Sequence, residues 1–132
     1  MEIAIEKLVA LCCLVFGLSH VLQPRMWVDF FIYLREKGET GVVVVALLHL
    51  PFGALIVSTH NIWHGLPMIV TIIGWGWTLK GTLYLLYPKH ALRMFQLVSH
   101  KRAWHFVAGG AALIVVSLLI IYSLLNPGVI VS

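Results

Sequence analysis

The 132-residue chain is 61% hydrophobic and 11% charged, about half the charge of a soluble domain, which leaves room for one bundle and no separate soluble unit. Its net charge of +4 would suit nucleic acid only if the basic residues formed one exposed face of a soluble fold. They lie instead between long apolar runs, where the positive-inside rule accounts for them, so nucleic acid is excluded as a partner.

Those runs are Ile5–Val21, Gly41–Thr59, Leu66–Tyr87 and Phe106–Leu125. A hydrocarbon core about 30 Å thick is crossed by about 20 helical residues. Backbone groups there must be satisfied internally, and the runs lack the alternation of barrel strands. The sequence predicts an all-α fold, an integral membrane four-helix bundle forming one transmembrane domain over 1–132.

The first run opens on Met1–Lys7, with two acids against one base, whereas a signal peptide opens on positive charge; we expect a retained helix. Cys12 and Cys13 within it read as small hydrophobes. After Pro24, Arg25 and Asp29 accompany Met26, Trp27, Phe30 and Leu34, the pattern of an amphipathic helix at the membrane surface.

The second run carries His49, with Pro51 two residues on, which frees the Leu47 carbonyl and kinks the helix. Ala46, Gly53 and His60 share its face. Two readings of His49 stand side by side: a hydrogen-bonded interior histidine, or an axial ligand to haem or a chlorophyll-type pigment. His60 and His64 in the following turn make an incomplete zinc site, with no cysteine or carboxylate nearby.

In the third run, Thr71, Gly74, Thr78 and Gly81 form a small-residue stripe that admits a close neighbouring helix, and Ala108, Gly109 and Ala112 of the fourth run offer the matching surface. Lys80 lies roughly opposite, on a face with Gly76, Tyr84 and Tyr87. It sits about 10 Å inside the boundary at Tyr87 by helical rise. A charge at the helix centre costs about 2.5–3.5 kcal/mol, so this face is expected to meet a partner or a polar site unless the amine snorkels out. Beyond Pro88, Lys89, Arg93, Gln96 and His100 alternate with Leu92, Phe95 and Val98 in a second amphipathic segment.

Arg25, Arg35, Lys37, Lys89, Arg93, Lys101 and Arg102 fall in the two long loops; only Lys7 lies on the other side. That asymmetry predicts cytoplasmic loops at 22–40 and 88–105 and both termini outside, in a bacterial cytoplasmic membrane. Gly17–Arg25 aligns with Gly81–Lys89 at an offset of 64, which also puts Phe31 on Phe95, so the bundle reads as two tandem helix-hairpin repeats.

The helix order, the Gly17-x-x-His20…Pro24 ending of the first helix and the Pro88-Lys89…Phe95 unit resemble the DoxX-like group of small bacterial four-helix membrane proteins. The resemblance implies the same fold and a place beside quinol- or thiol-oxidising systems. The glycine- and glutamate-bearing second helix of that group is not matched, since Glu39 precedes the second run.

No nucleophile–base set, phosphate loop or carboxylate pair is present, and we expect no enzyme. The expected function is a small accessory or structural subunit, surrounded by membrane lipids and packed against other membrane subunits or its own copies. The alternative is a membrane cofactor- or small-molecule-binding protein, taking haem, pigment or quinone at His49 and Lys80, or a minimal dimeric transporter using the same residues.

Overall fold

The computed structural model describes residues 1–129, all helical in their regular elements. The order is α1 (Glu2–Leu22), α2 (Pro24–Glu36), α3 (Glu39–Thr59), α4 (Met68–Leu86), α5 (Pro88–Phe95) and α6 (Trp104–Leu125), with short 3-10 turns at His100–Arg102 and Pro127–Val129. Helices α1, α3, α4 and α6 are long and apolar enough to cross a membrane. Each turns a large apolar side chain outward near its middle: Leu11, Leu47, Leu79 and Val115 are all more than half exposed. Such surfaces suit lipid rather than water.

Helix ends depart from the apolar runs where local chemistry takes over. Polar Glu39 does not precede the second long helix but opens it, because Gly38, at φ 62°, turns the chain directly from α2 into α3. Helices α1 and α4 end alike. Gln23 (φ −128°, ψ 50°) and Tyr87 (φ −131°, ψ 58°) each return their N–H to a carbonyl four residues back, at 2.8 Å, and each is followed by a proline that starts the next helix. Proline suits this first position because its missing N–H would find no helical partner there.

The long helices pack as two intimate pairs, α3 with α4 and α1 with α6. A Cβ on Gly53 would collide with the Thr78 backbone and lie 2.9 Å from the Gly74 carbonyl; one on Gly81 would lie 2.6–2.8 Å from Leu50. The stripe of Thr71, Gly74, Thr78 and Gly81 is therefore directed at α3. This corrects the expectation that Ala108, Gly109 and Ala112 would receive it. Those three are exposed, and a Cβ on Gly109 would meet nothing within 4 Å. Helix α6 uses its neighbouring Gly110 instead, on α1: Cβ atoms at Gly17 and Gly110 would each come within 3 Å of the other helix. Ser117 Oγ ties the same pair by donating to the Ala10 carbonyl at 2.7 Å.

One apolar cluster joins the pairs, and a second seats α2 and α5 on α3 and α4. At one end Ile5, Val9, Ala10 and Cys13 meet Ile56, Val70 and Ile120. At the other, Leu34, Val42, Val45, Ala91 and Phe95 are buried with Phe31, Tyr84 and Leu92 against them, so α2 and α5 close that end of the molecule. Phe31 and Phe95 meet edge to face at 5.5 Å, an arrangement favoured by the ring quadrupoles.

Candidate functional site

His49 and Lys80 come together although they sit on different helices. Lys80 Nζ lies 3.4 Å from His49 Nε2. His49 Nδ1 is 2.8 Å from the Val45 carbonyl, which accepts only, so Nδ1 carries the proton and Nε2 presents its lone pair to the amine. Both ring nitrogens thereby have a partner within the chain. Trp77 stands edge-on to His49 at 5.8 Å, and Lys80 Nζ lies 5.5 Å from the Tyr84 ring centroid. Among the described residues no carboxylate lies within 4 Å of Lys80. The site can donate hydrogen bonds and present positive charge in an apolar setting, where a partnerless charge is costly.

The remaining residues of this face separate. Gly76 is open, with no atom within 4 Å of a built Cβ. Tyr84 turns inward onto Phe95 at 6.1 Å, while Tyr87 is exposed. Tyr84 and Tyr87, with Leu83 of α4 and His90, Ala91 and Met94 of α5, line a cleft of about 460 Å³.

A second polar centre is invisible in sequence spacing. His60, only 1% exposed, caps the end of α3 and joins α1 to α4: Nε2 lies 3.0 Å from Glu6 Oε1 and Nδ1 3.1 Å from Thr71 Oγ1. Thr71 spends its single proton on the Ile62 carbonyl at 2.8 Å and accepts from the Ile62 N–H at 3.0 Å. His60 Nδ1 must then be the donor to Thr71. Thr71, read from the sequence as a packing residue, is the hub of this network as well as fully buried. The incomplete zinc reading of His60 and His64 gives way to it: His64 is exposed, and among the described residues no three metal-ligating side chains cluster. The clue that sequence could have supplied is Glu6 itself, an acid near the start of an apolar helix on the same predicted side as the His60 turn.

The chain matches no protein-family model, no curated protein and no solved structure.

Proposed function

We propose that this chain is a small accessory subunit of a larger membrane assembly, or of a homo-oligomer, that docks through the Gly76–Lys80 side of α4. The observation that carries the reading is Lys80: an amine well inside an apolar helix, held by an imidazole and an aromatic ring, with no carboxylate partner among the described residues. An acidic group from a neighbouring helix would complete it, and open Gly76, one turn away, would let that helix approach. Both termini lie outside and the α2 and α5 segments lie on the cytoplasmic face of a bacterial inner membrane, as the basic residues of both loops favour.

The two halves are tandem repeats in this reading. The like-ended α1 and α4 support it, as do contacts that recur 64 positions apart. Gly17 faces Ile114 as Gly81 faces Leu50, and Ala10 meets Ser117 as Gly74 meets Gly53. At the same offset Lys80 answers to Phe16 and His49 to Leu113. The α1–α6 pair thus holds apolar residues where the α3–α4 pair holds His49 and Lys80, so the scaffold itself has no need of the polar pair. That observation also favours a second reading, in which His49 and Lys80 bind a lipid-soluble small molecule that accepts a hydrogen bond.

Native mass spectrometry of gently solubilised membranes tests both. The accessory reading expects a partner of fixed stoichiometry, shed by Lys80→Met and by Gly76→Leu while the monomer stays folded. A complex that survives both substitutions overturns it. A bound small molecule lost in Lys80→Met, with no protein partner, replaces it with the second reading.

A further inference from the structure

We infer that the cleft between α4 and α5 is a binding site for a flat, uncharged aromatic ring of about indole size carried in the membrane. The inference goes beyond the docking reading, because, of the side chains that hold Lys80, this cleft shares Tyr84 alone, but it rests on the pairing of the two halves proposed above.

The argument begins with the same corner in the first half. There α1 ends at Gln23, Pro24 starts α2, and the third residue beyond the proline is Trp27. Its indole fills the angle between the two helices: it stacks on the His20 ring at 4.1 Å and 18°, and its Nε1–H donates to Ser19 Oγ at 2.9 Å. In the second half α4 ends at Tyr87 with nearly the same cap angles, Pro88 starts α5, and the third residue beyond the proline is Ala91. An alanine methyl stands where an indole stands in the other corner, and the cleft of about 460 Å³ lies beside it. The six lining residues, Leu83, Tyr84, Tyr87, His90, Ala91 and Met94, fall 64 positions after Ser19, His20, Gln23, Met26, Trp27 and Phe30. The cleft is thus the Trp27 corner without its tryptophan.

Its chemistry fits a ring. Tyr84 takes the place of His20, the ring on which Trp27 stacks, and is itself braced edge-on by Phe95. Leu83, Ala91 and Met94 supply apolar walls, and sulfur–aromatic contact is favourable. Tyr87 and His90 add hydrogen-bonding groups, and no lysine, arginine or carboxylate lines the space, which disfavours a charged ligand.

The probe is 5-azidoindole, photolysed with the purified full chain in detergent and mapped by peptide mass spectrometry, with indole as competitor. Saturable labelling of Tyr84, Tyr87, His90 or Met94, suppressed at least tenfold by excess indole, is expected. Ala91→Trp should abolish that labelling while leaving the helical content unchanged. The mapping in the unaltered chain decides the matter even if this variant misfolds. Unsaturable labelling scattered over the outward apolar residues overturns the site, as does phospholipid retained in the cleft that indole does not displace. Trp27→Ala separates the site from the pairing of halves: a second labelled corner at His20 and Met26 supports both. Labelling confined to the Tyr84 corner upholds the site and rejects the pairing.

Discussion

The Glu6–His60–Thr71 network shows how much one side chain decides when it is buried. His60 bonds to helices on either side, and each of its nitrogens has one partner. Replacing Glu6 by Gln keeps a group that can donate to Nε2, so we expect a loss of stability below about 1 kcal/mol, the worth of a typical neutral hydrogen bond. Glu6→Ala strands the imidazole nitrogen in the interior and should cost about 1–3 kcal/mol. Thermal unfolding in detergent, followed by circular dichroism, separates the two. Equal losses would mean that the ionic charge of Glu6, rather than its hydrogen bond, holds His60. The network escaped the sequence reading because it joins residues 54 and 11 positions apart through a turn, and no helical period connects them. Lys80, by contrast, was legible as an anomaly from its cost in an apolar run. The sequence also set His49 beside it in one candidate site, and the contact itself follows from α4 lying on α3.

At the scale of the helix, glycines divide into those that admit a neighbour and those that do not. A methyl on Gly53 or Gly81 would press on backbone atoms of the facing helix, which cannot swing aside. Gly53→Ala and Gly81→Ala should each destabilise by about 1–3 kcal/mol, the usual cost of overpacking. Gly76→Ala and Gly109→Ala meet open space and should be neutral or stabilising by up to about 1 kcal/mol, through helix propensity alone. Steric trapping or thermal unfolding of the four variants checks the division. A destabilising Gly109→Ala would show that Ala108, Gly109 and Ala112 cover a neighbour after all. The four long helices were readable from hydropathy to within a few residues, whereas the segment after Pro88 is α-helical only to Phe95, short of Gln96 and His100. Which helix faces which was not readable, because small-residue stripes occur on both α4 and α6 and the pattern carries no address.

For the molecule as a whole, the prediction that matters most is orientation. With Cys12 and Cys13 changed to Ala, Asn61→Cys should react with an impermeant thiol reagent added to intact cells. Lys37→Cys and Lys101→Cys should react only after the membrane is opened. The reverse pattern would turn the molecule over and place α2 and α5 outside. Of the two apolar clusters, at opposite ends of the bundle, the one around Ile5 and Val70 joins the helix pairs and the one around Phe95 seats α2 and α5 on α3 and α4. A lesion in the second cluster should therefore loosen α2 and α5 from α3 and α4 while the α1–α6 pair stays closed. Phe95→Ala, expected to cost about 3–5 kcal/mol as a buried aromatic, should lower the thermal midpoint while cross-linking of α1 to α6 through Ala10→Cys and Ser117→Cys persists.

The pairing of α1 with α6 also sets the order of events at the ribosome. Helices α3 and α4 are joined by a short turn and can meet as soon as both have entered the membrane, whereas Ser117 and Ala10 are separated by 107 positions. Helix α1 must therefore wait for α6, with its Gly17 groove facing lipid until α6 arrives. Nascent chains arrested before Trp104 should accordingly expose α1 to insertion chaperones and membrane proteases, while the α3–α4 hairpin is already closed. The survival of this protein during synthesis is then a race between elongation through the α6 codons and recognition of a solitary α1.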